Sequence, residues 1–116
     1  MNPDFDIQTA EDGQQAVVLR VSGELDAKSA PLLVERCVQA RAAGKHVILN
    51  LWGVTFIASS GVGALLALVE EFRDSQVSVH LAKPSPAVDS VIRLLCLDQF
   101  LPIDRDEDAA RAALGT

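Results

Sequence analysis

The segment Val54-Thr55-Phe56-Ile57-Ala58-Ser59-Ser60-Gly61-Val62-Gly63-Ala64-Leu65-Leu66 changes character at its midpoint. The part before the serines is strand-like and the part after them helix-like, so the chain passes there from a strand into a helix. A strand that feeds a helix belongs in a layered α/β architecture, where the helix packs back on a sheet. The serine pair falls where backbone N–H groups lack intrahelical partners, and its hydroxyls are expected to cap the helix. The same position favours an added phosphate, because a helix N-terminus attracts negative charge.

The remaining periodicity supplies the flanking elements. Phe5, Ile7 and Thr9 alternate with Asp4, Asp6 and Gln8 as a half-buried strand, and Asp12-Gly13 marks a tight turn. In a second strand from Ala16 to Ser22, Val17, Leu19 and Val21 point one way and Val18, Arg20 and Ser22 the other. These two strands read as a hairpin. Ala30, Leu33, Val34, Cys37 and Val38 then follow helical spacing, with Ser29 a candidate cap, Pro31 in the first turn and Gly44 at the end. His46 to Leu51 is apolar nearly throughout, as a central strand covered on both faces would be.

The helix after the serines carries the stripe Val62, Leu65, Leu66, Val69 and Phe72. Val77, Val79 and Leu81 alternate as a strand, and Pro84-Ser85-Pro86 turns into a helix striped by Val88, Val91, Ile92, Leu95 and Cys96. A short strand near Leu101 to Ile103 and a last helix from about Glu107 to Leu114 close the series. The order β-β-α-β-α-β-α-β-α predicts one α/β domain over residues 1–116, a mixed, mostly parallel central sheet with helices packed on it.

Composition narrows the partners. A formal charge of -6 and a pI near 4.7, with no Lys/Arg cluster, disfavour nucleic acid and tolerate a basic protein partner. No apolar run is long enough for an integral membrane segment, and Met1-Asn2-Pro3-Asp4 lacks the basic start of a secretory signal, so a soluble cytoplasmic protein is expected. Asp104-Arg105-Asp106-Glu107-Asp108 reads as a solvated helix start. Cys37 and Cys96 lie far apart in apolar patterns and read as small core residues rather than a disulfide.

Catalytic equipment is sparse. The string Ile57-Ala58-Ser59-Ser60-Gly61 is not a G-x-S-x-G elbow. Of the two histidines, His46 opens a strand and His80 faces away from the core residues Val79 and Leu81. No His/Cys spacing suits a metal, and Gly61-Val62-Gly63 lacks the rest of a dinucleotide or P-loop motif, so no metal or cofactor is expected. Two segments stay open on residues alone. Gly23-Glu24-Leu25-Asp26 is either an ordinary turn with solvated carboxylates or a loop beside the serines, and Trp52 suits either the core or a partner surface.

Gly23-Glu24-Leu25-Asp26, Val47-Ile48-Leu49-Asn50-Leu51 and Phe56 to Leu66 resemble, in order and spacing, the STAS domains of bacterial anti-sigma factor antagonists. The likeness covers essentially the whole chain, including Pro84-Ser85-Pro86-Ala87-Val88. It implies a partner-switching protein in transcription regulation, not an enzyme. Such an antagonist binds a serine-kinase anti-sigma factor and frees the sigma factor; the kinase phosphorylates a serine at the start of helix two with its own ATP, and a serine phosphatase reverses this.

Carried over by position, the resemblance makes Ser59 the acceptor, with Ser60 the second choice and capping neighbour. The partner-facing residues it implies are Gly23, Glu24, Leu25, Asp26, Ala58, Ser59, Ser60, Gly61 and Val62. Many members carry an aspartate immediately before the acceptor, where this chain has Ala58. The alternative under the same resemblance is a non-enzymatic STAS subunit of a lipid-transport or stress-sensing complex. A serine nucleophile at Ser59 or Ser60 ranks last, because the sequence offers it no base.

Overall fold

A hairpin opens the fold: β1 (Phe5–Asp12) pairs antiparallel with β2 (Ala16–Leu25), and Gly13 takes the left-handed φ of 70° that the turn requires. The computed structural model describes residues 5–114; the readings of Met1-Asn2-Pro3-Asp4 and of the outermost ends of the 1–116 domain lie outside the described residues. After the hairpin come α1 (Ala30–Ala42), β3 (His46–Ile57), α2 (Ser59–Arg73), β4 (Val79–Ala82) and α3 (Pro86–Leu94). A 3-10 turn at Leu97–Gln99, β5 (Ile103–Asp104) and α4 (Glu107–Ala113) follow.

The strands lie side by side in chain order, β1-β2-β3-β4-β5, and every pair after the hairpin is parallel. Because right-handed crossovers that always step in the same direction put their helices on one face, α1, α2 and α3 share a side of the sheet. Their Leu33, Cys37, Leu65, Leu68, Phe72, Val88 and Ile92 pack there against Val17, Leu19 and Val21 of β2 and Val47, Leu49 and Leu51 of β3. The other face holds a small cluster of Val18, Ile48, Ala82 and Ala110, with α4 laid across it.

Element order, mixed sheet and Cys37 in the core agree with the sequence expectation. The apolar segment His46 to Leu51 and the strand-like residues before the serines are one strand, β3. It continues through Ile57, because two register shifts against β2 each insert one extra residue. Buried positions on the face that carries α1 to α3 therefore run 47, 49, 51, then 54 and 57, and Trp52 and Phe56 are left outside at 55% and 51% exposure. Gly53 makes the first bulge possible, since a Cβ there would sit 2.8 Å from the Ser22 Cβ.

The third helix is also shorter than its apolar stripe. α3 ends at Leu94, Leu95 is its C-cap, and Cys96 adopts a left-handed φ of 54°. Leu95 and Cys96 are consequently exposed, not core. The acidic run near residue 106 is structural as well as solvated: Asp106 Oδ1 accepts the Ala109 N–H at 2.8 Å, and Asp104 and Glu107 bind side chains on the sheet.

Candidate functional site at the ends of β2 and β3

The two segments singled out in the sequence meet at one end of the sheet. Gly23, Glu24 and Leu25 are not a loop but the last residues of β2, in register with Val54, Phe56 and Ile57. The ladder closes with Ala58 N–H donating to the Leu25 carbonyl at 3.0 Å. Gly61 is seated directly on the same carbonyl, where a Cβ would come within 2.5 Å of the oxygen. Only glycine permits that approach, so the start of α2 is pressed against the end of β2.

Beyond Leu25 the chain turns through a closed set of hydrogen bonds. Ser29 Oγ donates to the Glu24 carbonyl at 2.7 Å and accepts the Asp26 N–H at 2.9 Å. Asp26 Oδ1 accepts the N–H groups of Lys28 and Ser29 at 3.0 and 3.1 Å. Those donors, Ser29 first, hold the Asp26 carboxyl below the usual carboxylate range, so it stays ionised at neutral pH. Ser29 is fully buried and already has helical φ and ψ, so its hydroxyl ties the turn together instead of capping α1 as expected.

The serine pair is likewise not a cap. Ala58 occupies the N-cap position of α2 with extended backbone and offers no side-chain acceptor. Ser59 and Ser60 lie one and two residues further on, inside the first turn, with both side chains exposed. Among the described residues no side chain satisfies the first N–H groups of α2, which leaves a site of positive potential beside two hydroxyls.

Of the residues the resemblance nominates, Gly23, Glu24, Asp26, Ala58, Ser59, Ser60 and Val62 retain some or full exposure at this end. Leu25 and Gly61 are buried, so they shape the surface and cannot present a side chain to a partner. Sequence reading missed a neighbouring feature. An apolar groove of about 660 Å³ runs between α1 and α2, lined by Ala27, Pro31, Val34, Val38, Ser60 and Ala64 among others. Its signal was latent in the sequence: small and apolar residues on the flank of each helix stripe.

Neither histidine reaches the serines. His46 begins β3 and accepts the Ser78 N–H, and His80 is in register with Ile48 and bound to Asp104 at 2.8 Å. Along β3, with its two extra bulge residues discounted, His46 is about 30 Å from Ile57 at a rise of ~3.3 Å per residue. Cys37 is inert in the core, where burial pushes its thiol up to about 12. Among the described residues no helix is long and apolar enough to cross a membrane.

The family model described as STAS domain matches residues 6–110. An anti-sigma F factor antagonist from Lysinibacillus sphaericus is 30% identical over 99 residues, 84% of each chain. The crystal structure of an anti-sigma factor antagonist from Mycobacterium paratuberculosis superposes with a TM-score of 0.81 at 29% identity, covering 99% of this chain and 98% of that one. The Bacillus cell fate determinant SpoIIAA in its phosphorylated form gives a TM-score of 0.70 at 25% identity, over 93% of this chain and 99% of that one.

Proposed function

Since the chain belongs to the STAS domain family, we propose that it is an anti-sigma factor antagonist that binds a serine-kinase anti-sigma factor through the sheet end carrying Ser59. Phosphorylation of Ser59 by that kinase, reversed by a serine phosphatase, releases the partner, and the chain itself performs no catalysis. The observation that carries this reading is an exposed hydroxyl in the first turn of an uncapped helix, fixed in place by the Leu25–Ala58 ladder bond and the seat of Gly61. A phosphoserine adds roughly −1.5 to −2 charges and three acceptor oxygens. The unpartnered N–H groups and helix dipole stabilise that charge on the free domain.

Ala58 gives the site a particular character. An aspartate at that N-cap position would accept the second or third N–H of the helix and compete with a phosphate for it. With alanine there, those donors remain available. Intact-mass analysis of the chain with a candidate anti-sigma kinase and ATP, followed by peptide mapping, tests the reading. One added phosphate at Ser59, absent in Ser59→Ala and retained in Ala58→Asp, is the expected result. Binding of no such kinase before or after phosphatase treatment, or a phosphate mapped elsewhere, refutes it.

A further inference from the structure

The second face of the sheet is closed by little apolar surface. α4 contributes Ala110, and its C-cap Leu114 a partly buried side chain, to the cluster with Val18, Ile48 and Ala82. Polar links tie the segment to the sheet at several points. The Glu107 carboxylate receives Arg20 Nε and Nη2, each at 2.9 Å, and Asn50 Nδ2 at 2.7 Å. Arg111 Nε donates to Asp12 at 2.6 Å, and His80 Nδ1 meets Asp104 at 2.8 Å. β5 adds short backbone pairing, through the Pro102 and Asp104 carbonyls, which accept the Leu81 and Lys83 N–H groups, and one apolar side chain, the partly buried Ile103 against the main core.

We propose that residues 102–114 form an ionic strap that leaves the sheet as one unit when the Glu107 cluster is screened or neutralised, while the hairpin, β3, β4 and α1 to α3 stay folded. A seven-residue helix does not persist alone in water, so release of α4 and its melting are one event. Opening uncovers Val18, Ile48 and Ala82, apolar positions on the sheet face that also carries the exposed Trp52 and Phe56. Charged groups approach Glu107 from the sheet and from its own helix. Arg20 faces it from β2; Lys83, after β4, lines the same cavity with Asp106 and Asp108; and Arg111 acts from α4 itself. Asn50 links the cluster to β3, because its Oδ1 accepts the Trp52 N–H at 2.9 Å. The inference does not depend on the Ser59 reading.

Amide hydrogen exchange on the full chain tests it, because the strap protects amides both within itself and on β4. In about 1 M salt, where the screening length is about 3 Å, Ala109, Ala110 and Leu114 are expected to exchange at least about tenfold faster, together with Leu81 and Lys83. Val47 and Ala58 amides, bound to Ser78 and Leu25, should be unchanged. Glu107→Gln at low salt should reproduce the pattern, and Glu71→Gln, which breaks the Arg41 pair of α1 and α2, should not. Equal acceleration at Val47 and Ala58 overturns the strap, as does no acceleration anywhere. Acceleration in α4 with Leu81 and Lys83 unchanged also overturns it, since the segment then does not move as a unit. Should Glu107→Gln fail to fold, the salt comparison on the unaltered chain carries the same readout.

Discussion

Two glycines in the first turn and a half of α2 should respond to the same substitution with opposite signs. At Gly61 an added methyl meets the Leu25 carbonyl oxygen at 2.5 Å and the Ile57 and Leu25 side chains at 3.0 Å. The oxygen is backbone, so relief requires moving the helix start away from β2. Overpacking of this kind costs about 1–3 kcal/mol. Moving the carbonyl also weakens its bond from Ala58 N–H, worth about 1 kcal/mol. Replacing glycine by alanine inside a helix returns about 1 kcal/mol. The net for Gly61→Ala is a loss of about 1–3 kcal/mol. At Gly63 nothing lies within 4 Å of the added carbon, so only the helix gain of up to about 1 kcal/mol remains. Urea unfolding at neutral pH reads both: with m of about 1–3 kcal/mol/M, Gly61→Ala should lower the midpoint by about 1 M and Gly63→Ala should hold or raise it. Equal midpoints for the two variants, with m unchanged, would show that the contact between α2 and the end of β2 is not tight, and the argument for a fixed Ser59 would go with it.

Two further outcomes follow from the fold. Thiol titration of the native chain should count one reactive cysteine, the exposed Cys96, and a second only in denaturant, because Cys37 is fully buried with its thiol pushed up to about 12; two fast thiols in the native state would contradict the core packing. Arg20, and then Asn50, hold the Glu107 carboxyl below its ordinary value, so its contribution to stability is present above the unfolded pKa of about 4.3 and is lost as pH falls through the lower folded value. Urea midpoints should therefore drop more steeply below about pH 4 for the parent chain than for Glu107→Gln; parallel curves would remove the Arg20–Glu107 pair from the account.

Legibility in the sequence tracked the regularity of each element. Strands with strict alternation, such as Val17, Leu19 and Val21, declared both their existence and their faces. Helices with three or more apolar turns did the same, and so the order of elements followed. β3 reads in the sequence as two separate pieces, His46 to Leu51 and the strand-like residues before the serines, because its buried spacing changes from two to three at each bulge and hides their continuity. Gly53 was the available clue to an extra residue there. The stripe ending in Leu95 and Cys96 misled for the opposite reason: the apolar period continues past the point where the backbone leaves the helix. At the site, the meeting of residues 23–26 with 58–61 is one of two readings the residues leave open, the other being an ordinary turn, because their proximity depends on β2 and β3 pairing in parallel as far as Leu25 and Ile57. What each serine does was not legible. One residue of offset separates a cap from a first-turn position, and helix boundaries read from periodicity are no finer than that.

That offset bears on how a switch at Ser59 would act. A hydroxyl at the cap would already be bound to the helix, and phosphorylating it would cost the fold a hydrogen bond. As a first-turn residue, Ser59 has an exposed side chain, and its modification need break nothing in the free domain. Any penalty then falls on the complex, through bulk, desolvation of the phosphate and repulsion from partner carboxylates. A differential of about 3 kcal/mol weakens binding more than a hundredfold. Ser59→Asp carries one charge instead of two and holds it closer to the backbone, where it also gains about 0.3–1 kcal/mol from the helix dipole. The substitution should therefore leave the unfolding midpoint the same or slightly higher and lower partner affinity by less than phosphorylation does. Calorimetric titration of the three forms against the same kinase would rank them unmodified, aspartate, phosphoserine. An aspartate variant that unfolds earlier than the parent would instead mean that Ser59 supports the fold, and that a phosphate there acts by loosening the domain rather than by blocking its surface.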